Sequence, residues 1–310
     1  MLSMREAYGN HLASRGIENK DIVVLEGDLA DSTQSDLFQS KFPDRHFQIG
    51  IAEQNMVGMA AGLALEGKIP FVNSFAAFVA MRACEQVRTD VAYTNLNVKF
   101  VVSHSGLSAG SAGPSHHCIE DISIMRAIPN MKVFCPGDSE EMRQVIDASL
   151  EINGPVYIRA SAMDTQQTYC DDHKFETGRA TLLKDGNDAT IIVTGALMFE
   201  ALEAANILDK EDDISIRVLQ MASVKPIDNE SIISSAEETS MIFTIEEHNI
   251  LGGLGAAVCE VVAGYGKGKV KRLGIEDHFT DLVGTPEYLL EHEGLSKEKI
   301  VKRIRMLLNG

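Results

Sequence analysis

The chain has 310 residues, 45% of them hydrophobic, and a formal charge of −17, enough apolar material for about two cores and too much for a disordered polypeptide. So large an acidic excess denies it the basic field that nucleic acid or an anionic membrane would need, and neither is expected as a partner. The five cysteines are widely spaced and form no C-x-x-C pair, which points to reduced thiols and away from a disulfide framework or a zinc site.

In chain order, the opening Met1-Leu2-Ser3-Met4-Arg5-Glu6 lacks a basic-then-apolar leader, and no uncharged apolar run approaches the ~20 residues of a membrane span. A cytoplasmic location is expected. Ile22-Val23-Val24-Leu25-Glu26 reads as a strand, and Phe47-Gln48-Ile49 as a short strand end. A helix follows from about Gln54, then a strand at Pro70-Phe71-Val72, a long helix over 77–93 and a strand at 98–102. Lys132-Val133-Phe134-Cys135 and Pro155-Val156-Tyr157-Ile158 close the unit. Short apolar runs alternating with helical patterns are the mark of a parallel sheet buried on both faces. Residues 163–178 are polar and lose periodicity, which suggests a linker. A second, smaller unit has strands at 189–193, 214–219 and 241–245, with helices near 200–208 and 253–262. The expected organisation is α/β, two three-layer α/β units: residues 1–162, a linker over 163–178, and residues 179–310.

Glu53 stands at the mouth of an apolar, small-residue helix running through Met56, Met59, Ala60, Ala61 and Gly62. A carboxylate there serves either as a helix-terminal charge or as an acid with a proton partner. Ser103-His104-Ser105-Gly106 opens a Gly/Ser-rich loop that runs to His116 and His117. It follows a strand, and ligands of α/β sheets bind at the carboxyl ends of strands. No third ligand accompanies His104 and His116, so they read as hydrogen-bonding groups rather than a zinc pair. Phe75 and Phe78 serve either the core or the face of a planar ligand. Gly252-Gly253-Leu254-Gly255 opens a helix after a strand; close packing is the commoner meaning of such a cluster, and phosphate binding the rarer one.

The segment Gly50-Ile51-Ala52-Glu53-Gln54 resembles the Gly-Ile-x-Glu motif in the pyrimidine-binding domain of thiamine diphosphate enzymes, transketolases above all. The likeness continues at fixed spacings through most of the first 160 residues. It implies a pyrimidine-binding thiamine-diphosphate-fold domain followed by a transketolase C-terminal domain. Glu53 would then share a proton with a ring nitrogen of the cofactor's aminopyrimidine, with Phe78 stacked on that ring, Phe75 flanking it, and Asp28 and Leu29 beside the cofactor. His104 and His116 would contact sugar, and Arg5, Ser32, His104 and Arg159 would converge on the substrate phosphate. Glu53, His104 and His116 are the catalytic residues that the resemblance implies.

Departures accompany it: Met81 where relatives often carry Tyr or Arg, and Ala112 where they usually carry Asp. The Gly-Asp-Gly…Asn motif that holds Mg²⁺ and the diphosphate is missing, so no metal ligand is expected in this chain. The implied assembly is an α2β2 heterotetramer with a separate N-terminal, diphosphate-binding subunit, and the implied reaction transfers a two-carbon ketol unit between sugar phosphates. Deoxyxylulose-phosphate synthases share the Glu53 motif but usually lack a histidine at the His104 position. The β subunits of 2-oxoacid dehydrogenases share the domain pair but not the two-histidine loop. A non-catalytic regulatory subunit that keeps the fold is the remaining alternative, and intact Glu53, His104, His116 and Arg159 together weigh against it.

Overall fold

The computed structural model describes residues 2–170 and 173–309; Met1, Gly310 and, within the expected linker, Asp171 and Asp172 lie outside the described residues. The first sheet has seven strands in the spatial order Ser223–Lys225, Lys132–Phe134, Val156–Arg159, Lys99–Ser103, Ile69–Phe75, Ile22–Glu26 and His46–Gln48. The last six run parallel, and Ser223–Lys225 pairs antiparallel at one edge.

Alternation along each strand sends side chains to opposite faces, and each face has its own core. Val23, Leu25, Val72, Phe100 and Val102 pack with Met56, Val57 and Ala60 of the helix Glu53–Leu65 on one side. Ile22, Val24, Phe71 and Val101 pack on the other with Tyr8 and Leu12 of Met4–Glu18 and with Met142 and Ile146 of Ser139–Glu151. This produces the three layers, and it explains why Ile22–Glu26 and Lys99–Ser103 are buried along their whole length.

The second sheet runs Val270–Ile275, Ile242–Asn249, Ala189–Val193, Ile216–Gln220, Thr181–Lys184, with only the last antiparallel. Ser223–Lys225 departs from a division into two independent segments, because chain beyond the linker completes the edge of the first sheet. It is held there by Lys225 Nζ, which donates to Arg126 O and Ile128 O at 2.8 and 2.6 Å. Within the linker, Asp164–Thr165 pairs with Leu2–Ser3.

The helix expected over 77–93 is not continuous. It consists of a π-helical turn Phe78–Arg82, a short α segment Cys84–Gln86 and a second π-helical turn Val87–Ala92. One extra residue in a turn shifts the phase of the downstream residues by roughly 100°, a displacement that hydrophobic periodicity does not report.

Candidate functional site

The site lies at the carboxyl edge of the first sheet. Gln48, closing its strand, accepts through Oε1 from both Asp28 N and Gly50 N at 2.8 Å, tying together the turns that precede Leu29 and Glu53. Glu53 then starts its helix, and its side chain has no solvent exposure. Its carboxylate accepts from Arg82 Nη1 at 2.7 Å and lies 3.5 Å from Ser74 Oγ. The same guanidinium covers the Phe78 ring at 4.5 Å from the centroid. Arg82 was not singled out in the sequence; the one available signal is a charge four residues beyond Phe78, on the same helical face.

Beyond Arg82 the rings assemble. Phe75 and Phe78 stack with centroids 5.8 Å apart, the His104 ring lies 3.9 Å from Phe75, and His116 meets Phe78 edge-on at 5.4 Å. His104 follows directly on Lys99–Ser103 with φ +55, and Asp28 follows closely on Ile22–Glu26 with φ +68. Both are left-handed conformations that non-glycine residues adopt at a cost, and such costs cluster at functional sites. Burial, reinforced by Arg5 and His116, pushes the His104 imidazole down to about 4. It is therefore neutral at ordinary pH, with Nδ1 3.0 Å from Ser103 Oγ.

Arg5 donates to Ser32 O at 2.7 Å and to Ala162 O at 3.2 Å, and its charge is felt at His104. Arg5, Ser32 and His104 thus adjoin one another. Phe78, Met81, Arg82, Pro114 and Ser115 line a cleft of about 410 Å³, and Ala112 is exposed on the short turn Gly110–Ala112.

Arg159 is placed differently from the expectation that it joins Arg5 at a phosphate. It is 4% exposed, its Nε donates to both Asp121 oxygens at 2.9 and 3.1 Å, and its Nη2 donates to Cys118 O and Glu247 O. Nε and Nη2 are thus committed to an internal carboxylate and two carbonyls, so Arg159 joins the two units, while Arg5 is the guanidinium whose charge is felt at His104. At Gly252–Gly255 the close-packing reading holds. The buried Glu246 carboxylate accepts from Leu254 N at 2.6 Å and Gly255 N at 2.8 Å, filling the anion position at that helix start.

With this geometry in place, residues 1–167 match the family described as transketolase, pyrimidine binding domain, and residues 178–300 match transketolase, C-terminal domain. The chain belongs to the transketolase family. It is 47% identical over 97% of its length to a Methanocaldococcus jannaschii protein named for a transketolase C-terminal section, covering 95% of that protein. It is 40% identical over 96% of its length to the 6-deoxy-6-sulfo-D-fructose transketolase subunit SqwH of a Clostridium species, covering 92% of it. Among solved structures it resembles a split gene transketolase described as an inactive β4 tetramer, at 43% identity and a TM-score of 0.89, over 99% of this chain and 98% of that one. These transketolase relatives are nearly coextensive with the chain.

Proposed function

We propose that this chain is the pyrimidine-binding subunit of a two-chain, thiamine diphosphate-dependent transketolase that transfers a two-carbon ketol unit from a ketose phosphate to an aldose phosphate. The observation that carries the reading is a carboxylate without solvent exposure, Glu53, joined through Arg82 to Phe78 of the stacked Phe75–Phe78 pair, with two histidines against those rings. That combination fits an aminopyrimidine: a flat, weakly polar heterocycle with a ring nitrogen able to share a proton. When bound, thiamine diphosphate supplies the carbanion chemistry that holds the two-carbon unit.

The protein's contribution is positional and protic. Glu53, now paired with Arg82, would hold a proton for the pyrimidine when the cofactor is bound. Phe78, flanked by Phe75, would offer the ring the face that Arg82 covers. Neutral His104 donates to or accepts from a sugar hydroxyl without adding charge, and His116 faces the same aromatic pair. Arg5 with Ser32 offers an anionic sugar end a guanidinium and a hydroxyl. The Mg²⁺ ligands and diphosphate contacts are assigned to an N-terminal partner subunit in an α2β2 assembly, since the Gly-Asp-Gly motif does not occur in this sequence. The cytoplasmic placement expected from the sequence accords with such metabolism.

Glu53→Gln tests the assignment. It keeps the volume but cannot move the proton, so ketol transfer by the reconstituted complex should fall on the order of 10²–10⁴-fold with little change in thermal midpoint. Activity near that of the native complex would return Glu53 to a helix-terminal role.

A further inference from the structure

The second unit meets the histidine loop at Gly110 and Gly113 through Val283, Gly284 and Pro286, and at its base through one short hydrogen-bonding run of residues. At the end of Ile242–Asn249, Glu247 Oε1 accepts from Leu107 N at 2.7 Å, His248 Nε2 accepts from Ser123 N at 3.3 Å, and Asn249 N donates to Ile119 O at 2.7 Å. Gly106 and Cys118 exchange both backbone hydrogen bonds at 2.8 Å. They close 106–118 into a loop that carries His116, with His104 two residues before its stem. Glu247 seats on that stem. Gly106 has φ +60, and a Cβ there would lie 2.4 Å from Glu247 Cδ, so the carboxylate packs directly on loop backbone.

Glu247 is itself 2% exposed, and its Oε2 has no hydrogen-bond partner among the described residues. Burial pushes its carboxyl up to about 7, with the Arg159 charge and the Leu107 N–H working against the rise. A buried carboxylate with one oxygen committed to a loop amide is costly to maintain. Ordinary packing between the units would be met as well by an apolar side chain.

We propose that Glu247 is a positioning residue for the histidine loop: by accepting from Leu107 N and seating on Gly106, it fixes the stem and so the placement of His104 and His116. What those histidines do rests on the transketolase reading; the clamp itself does not. Glu247→Ala removes the acceptor, whereas Glu247→Gln keeps both acceptor and volume. Gly106→Ala pushes on the same contact from the loop side.

The test uses the complex reconstituted with its diphosphate-binding partner, with kinetics read beside hydrogen exchange of the amides of residues 105–118. Glu247→Ala should lower kcat about tenfold or more, raise KM for the sugars and speed exchange in that loop by a similar factor, leaving cofactor affinity within about twofold. Glu247→Gln should restore both readouts. Gly106→Ala should reproduce the loss, and combining it with Glu247→Ala should cost less than the two separately, because the colliding side chain has gone. Unchanged kinetics and exchange in Glu247→Ala, failure of Gln to restore them, or full additivity of the pair would each overturn the proposal. Should Glu247→Ala not fold, Gly106→Ala and Glu247→Gln carry the same decision. A native complex without ketol transfer would sink the transketolase reading, while loop exchange would still decide the clamp.

Discussion

Arg82 pairs with Glu53 at 2.7 Å, yet its side chain is 45% exposed while that of Glu53 is fully buried. A ligand whose ring nitrogen has taken up a proton from water and pairs with Glu53 would replace an arginine already facing water and keep the buried carboxylate partnered. His104 answers a different demand. Its ring keeps a folded-state value of about 4 against 6.5 when free, so between those values the unfolded chain takes up the proton that the folded chain refuses. Stability from this group is present above about 6.5 and is lost as pH falls towards 4. Titration of isotope-labelled imidazole should show His104 neutral throughout pH 5.5–8 (~2.5 units); a midpoint near 6.5 would show a solvated ring and remove the argument for a neutral hydrogen-bonding group. At this scale Glu53, Phe75, Phe78, His104 and His116 were legible in the sequence, because each sits at a strand end or helix start that local pattern locates. Arg82 was not, and neither was the partner of Arg159. The partner of Arg82 depends on a π-helical phase shift, and that of Arg159 on Asp121, which folding brings up from a separate helix.

The elements explain why some sequence signals transfer and others do not. Strands buried on both faces are apolar without interruption, so Ile22–Glu26 and Ala189–Val193 are found at their read positions. The glycine-opened helix Leu254–Tyr265 shows a signal with two meanings, resolved by the carboxylate that reaches it. Glu246 occupies the unpaired N–H groups at its start, and a Cβ at Gly253 would lie 2.1 Å from Glu246 Oε2. Gly253→Ala should therefore destabilise the fold by about 1–3 kcal/mol, through overpacking and a disturbed cap, which thermal unfolding will read. A loss below about 0.5 kcal/mol would mean that the turn relaxes and that the glycine is dispensable.

On the scale of the whole molecule, two α/β units share more than a linker. Ser223–Lys225 adds a strand from the second segment to the first sheet, Arg159 pairs with Asp121 while donating to Glu247 O, and Glu247 reaches the loop stem. Alternating β and α runs made the two units legible, but a three-residue edge strand paired across the chain leaves no periodic trace. The assembled edge offers a carboxylate, an aromatic pair, two histidines and an arginine, all suited to a pyrimidine and a sugar, and the sequence carries no motif for a diphosphate and its metal. Half of a cofactor's contacts should give a small part of its affinity, since the diphosphate and Mg²⁺ contribute the charged interactions. The decisive measurement is a calorimetric titration of thiamine diphosphate with Mg²⁺ into this chain alone and into its mixture with the diphosphate-binding subunit. Stoichiometric binding to the mixture is expected, with affinity at least about a hundredfold weaker for the chain alone; tight stoichiometric binding by the isolated chain would contradict a site shared between two subunits.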